Sequence, residues 1–180
     1  MNTGVSKGEL EDFVNEAMSN GWPGNTVPRT DADFPGFSGG NYRRGPWRCL
    51  DVWSGATTDA GMLVVFLHET SVWTCVYRGG VLGGTRHVEQ TNIADNEIFD
   101  FLVKALRSPQ TGALKLRGPA EITSEDRRWR YRFALQGDVE SFIATEQIYE
   151  HKTLSYERIL VGGRVGDGVA YGPRSLDLRS

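Results

Sequence analysis

Two short runs of this sequence set aromatic, acidic and thiol side chains at alternate positions. Alternate residues of a strand share a face. In Trp47-Arg-Cys-Leu-Asp-Val-Trp53 that rule groups Trp47, Cys49, Asp51 and Trp53, and in Ser71 to Tyr77 it groups Ser71, Trp73, Cys75 and Tyr77. If the two faces coincide, they make an aromatic wall with one carboxylate and two thiols set into it. An apolar pocket with a few convergent polar groups is the usual form of a small-ligand site. The same aromatics also suit a plain core, with Asp51 hydrogen-bonded to a turn. Sixteen arginines against four lysines are the second chemical signal. Arg127, Arg128, Arg130 and Arg132 cluster around Trp129, Tyr131 and Phe133, while Arg43, Arg44, Arg48, Arg78 and Arg86 gather near earlier turns. Guanidinium forks suit phosphate or carboxylate, and stacking aromatics suit a nucleobase. A charge ladder across the exposed sheet face, with Glu140, Glu146 and Glu157 opposing the arginines, accounts for them equally.

Catalytic patterns are weak. His68, His87 and His151 fall in expected turns or loops, and no His pair has metal-ligand spacing. Cys49 and Cys75 sit mid-strand, where a buried thiol behaves as a small apolar residue. The pairs Gly39-Gly40, Gly79-Gly80, Gly83-Gly84 and Gly162-Gly163 match no phosphate-loop or dinucleotide pattern, so turns and bulges are expected there. No cofactor or metal is implied, and no residue is assigned a catalytic role.

The elements that must position these residues repeat along the chain. Glu9 to Met18 and Glu97 to Leu106 share four of ten residues at an offset of 88, and three more positions are apolar swaps. Leu10, Phe13, Val14 and Ala17, and likewise Ile98, Phe101, Leu102 and Ala105, have the spacing of a buried helical stripe. Ser6 or Lys7-Gly8 precedes the first helix and Asp95 caps the second; Asn20-Gly21 and Ser108-Pro109 stop them. Behind each helix comes a strand pair, 61–67 with 71–77 and 141–149 with 153–161, each closed by a Gly-Gly. Trp47 to Trp53 and Trp129 to Leu135 precede the pairs, with short strands expected at 42–44 and 114–117. Residues 21–45 read as a long loop or lid, 83–92 as the link between halves, and 166–180 as a fraying tail.

Composition bounds the class. A chain of 180 residues with 39% hydrophobic and 24% charged residues reads as one globular domain. A net charge of -3 argues against duplex nucleic acid, whose backbone asks for a basic surface. The longest apolar run, Met62 to Leu67, is far below the ~20 residues that span a bilayer. MNTGVSKGELEDF lacks the pattern of a signal peptide, and two cysteines make no disulfide framework, so a cytoplasmic location is expected.

With its blocks aligned, the sequence resembles an uncharacterised bacterial domain-of-unknown-function family, found alone and behind helix-turn-helix domains in some regulators. The likeness covers roughly residues 8 to 165. It rests on Leu10, Phe13, Val14 and Ala17, on Asp51 and Gly55, and on Gly61, Val65, Trp73, Tyr77 and Gly79. The second half contributes Arg117-Gly118-Pro119, Gly137-Asp138, Phe142, Glu146, Ile148, Tyr156 and Gly162-Gly163. Asp59, Leu63 and Ala144 depart from the family pattern at its Phe, Glu and Gly positions, leaving Glu146 alone of its paired glutamates. The resemblance implies a fold and no activity.

The reading expected from all this is a single α+β domain over 1–180. It is built from duplicated helix plus antiparallel-strand units (about 6–82 and 94–165) related by a pseudo-twofold axis, with the helices covering the sheets. The expected function is non-catalytic binding of a small anionic, aromatic ligand of nucleotide-like character, a homo-oligomer being compatible. Trp47, Trp53, Trp73 and Tyr77 form the expected wall, Asp51 accepts hydrogen bonds, and Arg78 or Arg130 meets negative charge. A protein-interaction module and a small enzyme with a cleft Cys, His or carboxylate are the alternatives.

Overall fold

Ser6 opens the first helix with a reciprocal cap: its Oγ accepts from the Glu9 N–H at 3.2 Å, while the Glu9 carboxylate accepts from the Ser6 N–H at 3.0 Å. The helix that follows, α1 (Lys7–Asn20), buries Leu10, Phe13, Val14 and Ala17, the stripe its spacing predicts. The computed structural model describes residues 4–20, 29–30, 36–82, 93–110 and 114–166, with backbone alone at 29–30 and 93–96. The expected link at 83–92, the Asp95 cap and the tail from 167 onward lie outside the described residues or side chains.

The chain continues as β1 (Arg29–Thr30), β2 (Ser38–Arg44), β3 (Trp47–Gly55), β4 (Thr58–Leu67) and β5 (Thr70–Val81). After α2 (Ile93–Leu106) come β6 (Glu121–Thr123), β7 (Trp129–Asp138), β8 (Ser141–Glu150) and β9 (Thr153–Arg164). The nine strands among the described residues form one antiparallel sheet in the order β1-β2-β3-β4-β5-β9-β8-β7-β6. This corrects the expected duplication into helix-plus-strand units with a sheet in each half. β5 and β9 pair directly from Trp73↔Arg164 to Val81↔Tyr156, so strands expected to end two sheets are joined into a single one. That pairing also carries both strands through the glycines expected to close them: Gly79-Gly80 lies inside β5 and Gly162-Gly163 inside β9. Part of the expected 21–45 loop is strand, because β2 pairs with β3 along its whole length. Residues 114–117, expected as a strand, are not one; they cross over the sheet face instead.

Pairing registers assign every strand residue to a face. One face carries Trp47, Cys49, Asp51, Trp53, Asp59, Gly61, Leu63, Val65, Trp73, Cys75 and Tyr77, and continues through Tyr156, Arg158, Leu160, Phe142, Ala144, Glu146, Ile148, Tyr131 and Phe133. Both helices pack on this inner face. The α1 stripe joins Cys49, Leu63, Val65, Trp73, Cys75, Phe142 and Leu160 in one cluster, to which Leu114 and Leu116 belong. The α2 stripe joins Trp129, Tyr131, Ile148 and Tyr156 in the other. Ile98, Phe101, Leu102 and Ala105 are buried there as their spacing predicts.

Candidate functional site

Asp51, on β3, and Tyr77, on β5, are brought together across β4. The Tyr77 hydroxyl donates to Asp51 Oδ1 at 2.8 Å, passing over Gly61, where any Cβ would collide with the Tyr77 ring. Burial pushes the Asp51 carboxyl up to about 6, against the opposing pull of the Tyr77 hydrogen bond and of the Arg117 and Arg158 charges. Among the described residues, Tyr77 is the one side chain seen to donate to this carboxylate.

Beside this pair lies Arg158 of β9, its guanidinium 5.0 Å from the Tyr77 ring centre and 5.8 Å from that of Tyr156. Its Nη2 donates to both oxygens of Asp59 at 2.6 Å, and its buried Nε–H has no hydrogen-bond partner. A buried donor left unsatisfied is costly and rare enough to call for an explanation.

The next strand, β8, brings in Glu146, which is fully buried. Arg117 meets it with a two-pronged pair, Nε to Oε1 and Nη2 to Oε2, each at 2.9 Å. The hydroxyls of Tyr131 and Tyr156 donate to the same carboxylate at 2.9 and 3.2 Å, and the Gly118 N–H donates to the Tyr131 oxygen at 3.0 Å. Burial by itself pushes the Glu146 carboxyl up, but the Arg117 charge and these bonds outweigh it and hold the group below its ordinary value. This network pins segment 114–120 to the sheet. Its carboxylate has no spare lone pair aimed elsewhere, so its part is structural.

The remaining expected site residues are dispersed. Trp73 is fully buried, stacks on Phe142 at 5.8 Å and donates from Nε1 to the Val139 carbonyl at 3.0 Å, so it is core. Trp47 stacks on Phe13 of α1 at 5.0 Å. Trp53 is half-buried on the inner face, one strand turn from Asp51. Arg78 and Arg130 project from the opposite face: Arg78 is exposed and Arg130 sits 4.8 Å over the Tyr149 ring. The charge ladder expected there is partial, since Glu157 lies on that face whereas Glu146 is turned inward and Glu140 pairs with Arg164. Cys49 and Cys75 share the inner face, but burial pushes both thiols up to about 12, so neither supplies a thiolate near neutrality. His68 and His151 occupy positive-φ hairpin tips, and His87 lies outside the described residues. No group of three metal-ligating side chains occurs among the described residues.

Arg117, Asp59 and Arg158 are the groups that sequence reasoning missed. One signal was available for Arg158: Tyr156, Arg158 and Leu160 alternate with Glu157, Ile159 and Val161, which puts a cation on an otherwise apolar face. Arg117 and Asp59 offered no such signal, because each finds its partner only through tertiary contact.

Residues 51–165 match the sequence pattern of a domain of unknown function, DUF5680, over well more than half of the chain. The protein belongs to the DUF5680 family. The matched span starts at Asp51 in β3 and ends just past β9, so it contains every polar group of the inner face described above. No curated protein and no solved structure matches this chain. No helix among the described residues is long and apolar enough to cross a membrane.

Proposed function

We propose that this DUF5680 protein binds a small molecule, without transforming it, on the helix-bearing face of its sheet between the two apolar clusters. The observation that carries the reading is the buried Arg158 Nε–H without an acceptor, set beside a half-buried Asp51 that has only Tyr77 as its donor. One group asks for an acceptor and the other takes a donor. A flat ring with both on one edge, or an aromatic ligand with an anionic substituent, meets that demand, and nucleotide-like metabolites are of this kind. Trp53 and Tyr77 supply the aromatic contacts, and Arg158 replaces Arg78 and Arg130 as the cation.

Native mass spectrometry of gently purified protein, compared with its denatured mass, tests the reading. A discrete added mass lost on denaturation, and absent from Asp51→Asn and Trp53→Ala proteins that remain folded, is the expected result. An unliganded mass, together with no thermal stabilisation by a panel of nucleotides and aromatic acids, would overturn it.

A further inference from the structure

The outer face of the sheet is apolar at its centre. Met62, Val76, Val161 and Ile143 occupy one register row across β4, β5, β9 and β8, and Ile159 lies beside them. These five side chains are 39%, 51%, 45%, 55% and 50% exposed, respectively. Both helices pack on the other face, and no described element covers this one. Contiguous exposed aliphatics of this kind mark interaction sites.

Charge narrows the partner. The strand residues of the outer face include Arg43, Arg48, Arg78, Arg130 and Arg132 against Glu121 and Glu157. Asp138, at the end of β7, is engaged by Lys7. Five cations against two anions is a basic surface on a chain whose net charge is -3, so the bias belongs to the face and not to the composition. Arg132 reaches Glu121 only at 3.5 Å, and the Arg130 Nε is buried without a partner. Two such faces laid against each other would repel, which disfavours a second copy.

We propose that the outer sheet face docks an acidic, amphipathic segment of another protein. Its apolar residues would lie along the Met62–Val76–Val161–Ile143 row and its carboxylates would meet the flanking arginines. The spacing suits a helix: apolar residues every three to four positions advance about 5 Å, close to the ~4.8 Å between neighbouring strands. The surface is separate from the small-ligand face, and either can fail alone.

The probes are two synthetic amphipathic peptides of the same apolar pattern, one with Glu and one with Lys at its polar positions, titrated into the full chain by calorimetry and by amide chemical shifts. Binding of the Glu peptide alone is expected, with shifts centred on Met62, Val76, Ile143, Ile159 and Val161. Its affinity should fall roughly tenfold or more, about 1.4 kcal/mol, in Val76→Ser/Val161→Ser and in Arg78→Glu proteins. If the double variant fails to fold, the shift map on the unaltered chain decides. Equal binding of both peptides, no binding, or shifts elsewhere would overturn the proposal. So would self-association in sedimentation that the double variant abolishes, or shifts on this face induced by phosphatidylglycerol vesicles and by neither peptide.

Discussion

At the scale of single residues, two of the inner-face carboxylates, Asp51 and Glu146, stand in opposite electrostatic states. Asp51 is raised to about 6, chiefly by burial, whereas its unfolded value is 3.8. Between those values the folded protein keeps a proton that the unfolded chain releases. The contribution of Asp51 to stability therefore falls as pH rises from about 4 to 6 and is level above that. Asp51→Asn preserves an acceptor for Tyr77 and removes the titration. Relative to the unaltered protein, the variant should gain on the order of 2 kcal/mol between pH 4 and pH 7, read from urea unfolding at both values. A pH-independent difference would show that Asp51 is not desolvated. Glu146 behaves in the opposite way: Arg117 keeps it ionised, so its contribution is present at neutral pH and is lost only below the ordinary carboxylate range. Glu146→Ala leaves Arg117 buried and uncompensated, at a cost of roughly 3–5 kcal/mol. Replacing both partners by apolar residues should recover most of that loss in the same unfolding assay.

At the scale of elements, the hydrogen bond from Tyr77 to Asp51 depends on what β4 does not carry. A side chain at Gly61 would occupy the space the Tyr77 ring crosses. Gly61→Val should displace the ring, expose Asp51 to solvent and bring its carboxyl back toward the ordinary range, a change that pH-dependent carboxylate NMR shifts would register. Trp73 and Trp53, equivalent on sequence parity, part company here. Trp73→Ala opens a cavity under α1 and should cost about 3–5 kcal/mol, seen as a lowered urea midpoint. Trp53→Ala, at a half-buried position, should unfold near the parent midpoint while losing any ligand response. Equal losses in the two variants would place Trp53 in the core as well.

At the scale of the molecule, the β5–β9 pairing makes the two parts of the chain interdependent. Phe142, Ala144 and Leu160, from the later strands, fill the cluster under α1. A fragment of residues 1–82 would lack them and would present β5 as an open edge, which invites aggregation. It is expected to remain unfolded or associate, judged by circular dichroism and sedimentation, while the full chain unfolds in one cooperative step. An independently folded fragment would mean that the sheet tolerates division at its centre.

Much of the architecture follows from local physics that the chain carries in short windows. The α1 and α2 stripes, the capping Ser6 and the strand pairs 61–67 with 71–77 and 141–149 with 153–161 all come from periodicity and turn chemistry. Alternation grouped Asp51 with one face of β3 and Tyr77 with one face of β5, and the registers through β4 make those two faces coincide. What short windows do not contain is which strand edge meets which. The union of β5 with β9 into a continuous sheet, the crossing of 114–120 and the delivery of Arg117 to Glu146 involve residues far apart in the chain. Parity says which residues share a face but not which face the helices cover. For that reason Trp73 became core, Arg78 and Arg130 went to the outer face, and Arg158 became the cation beside Asp51. Side-chain periodicity is a property of the local backbone; burial and partnership arise only once distant strands have closed the sheet and the helices have chosen one side of it.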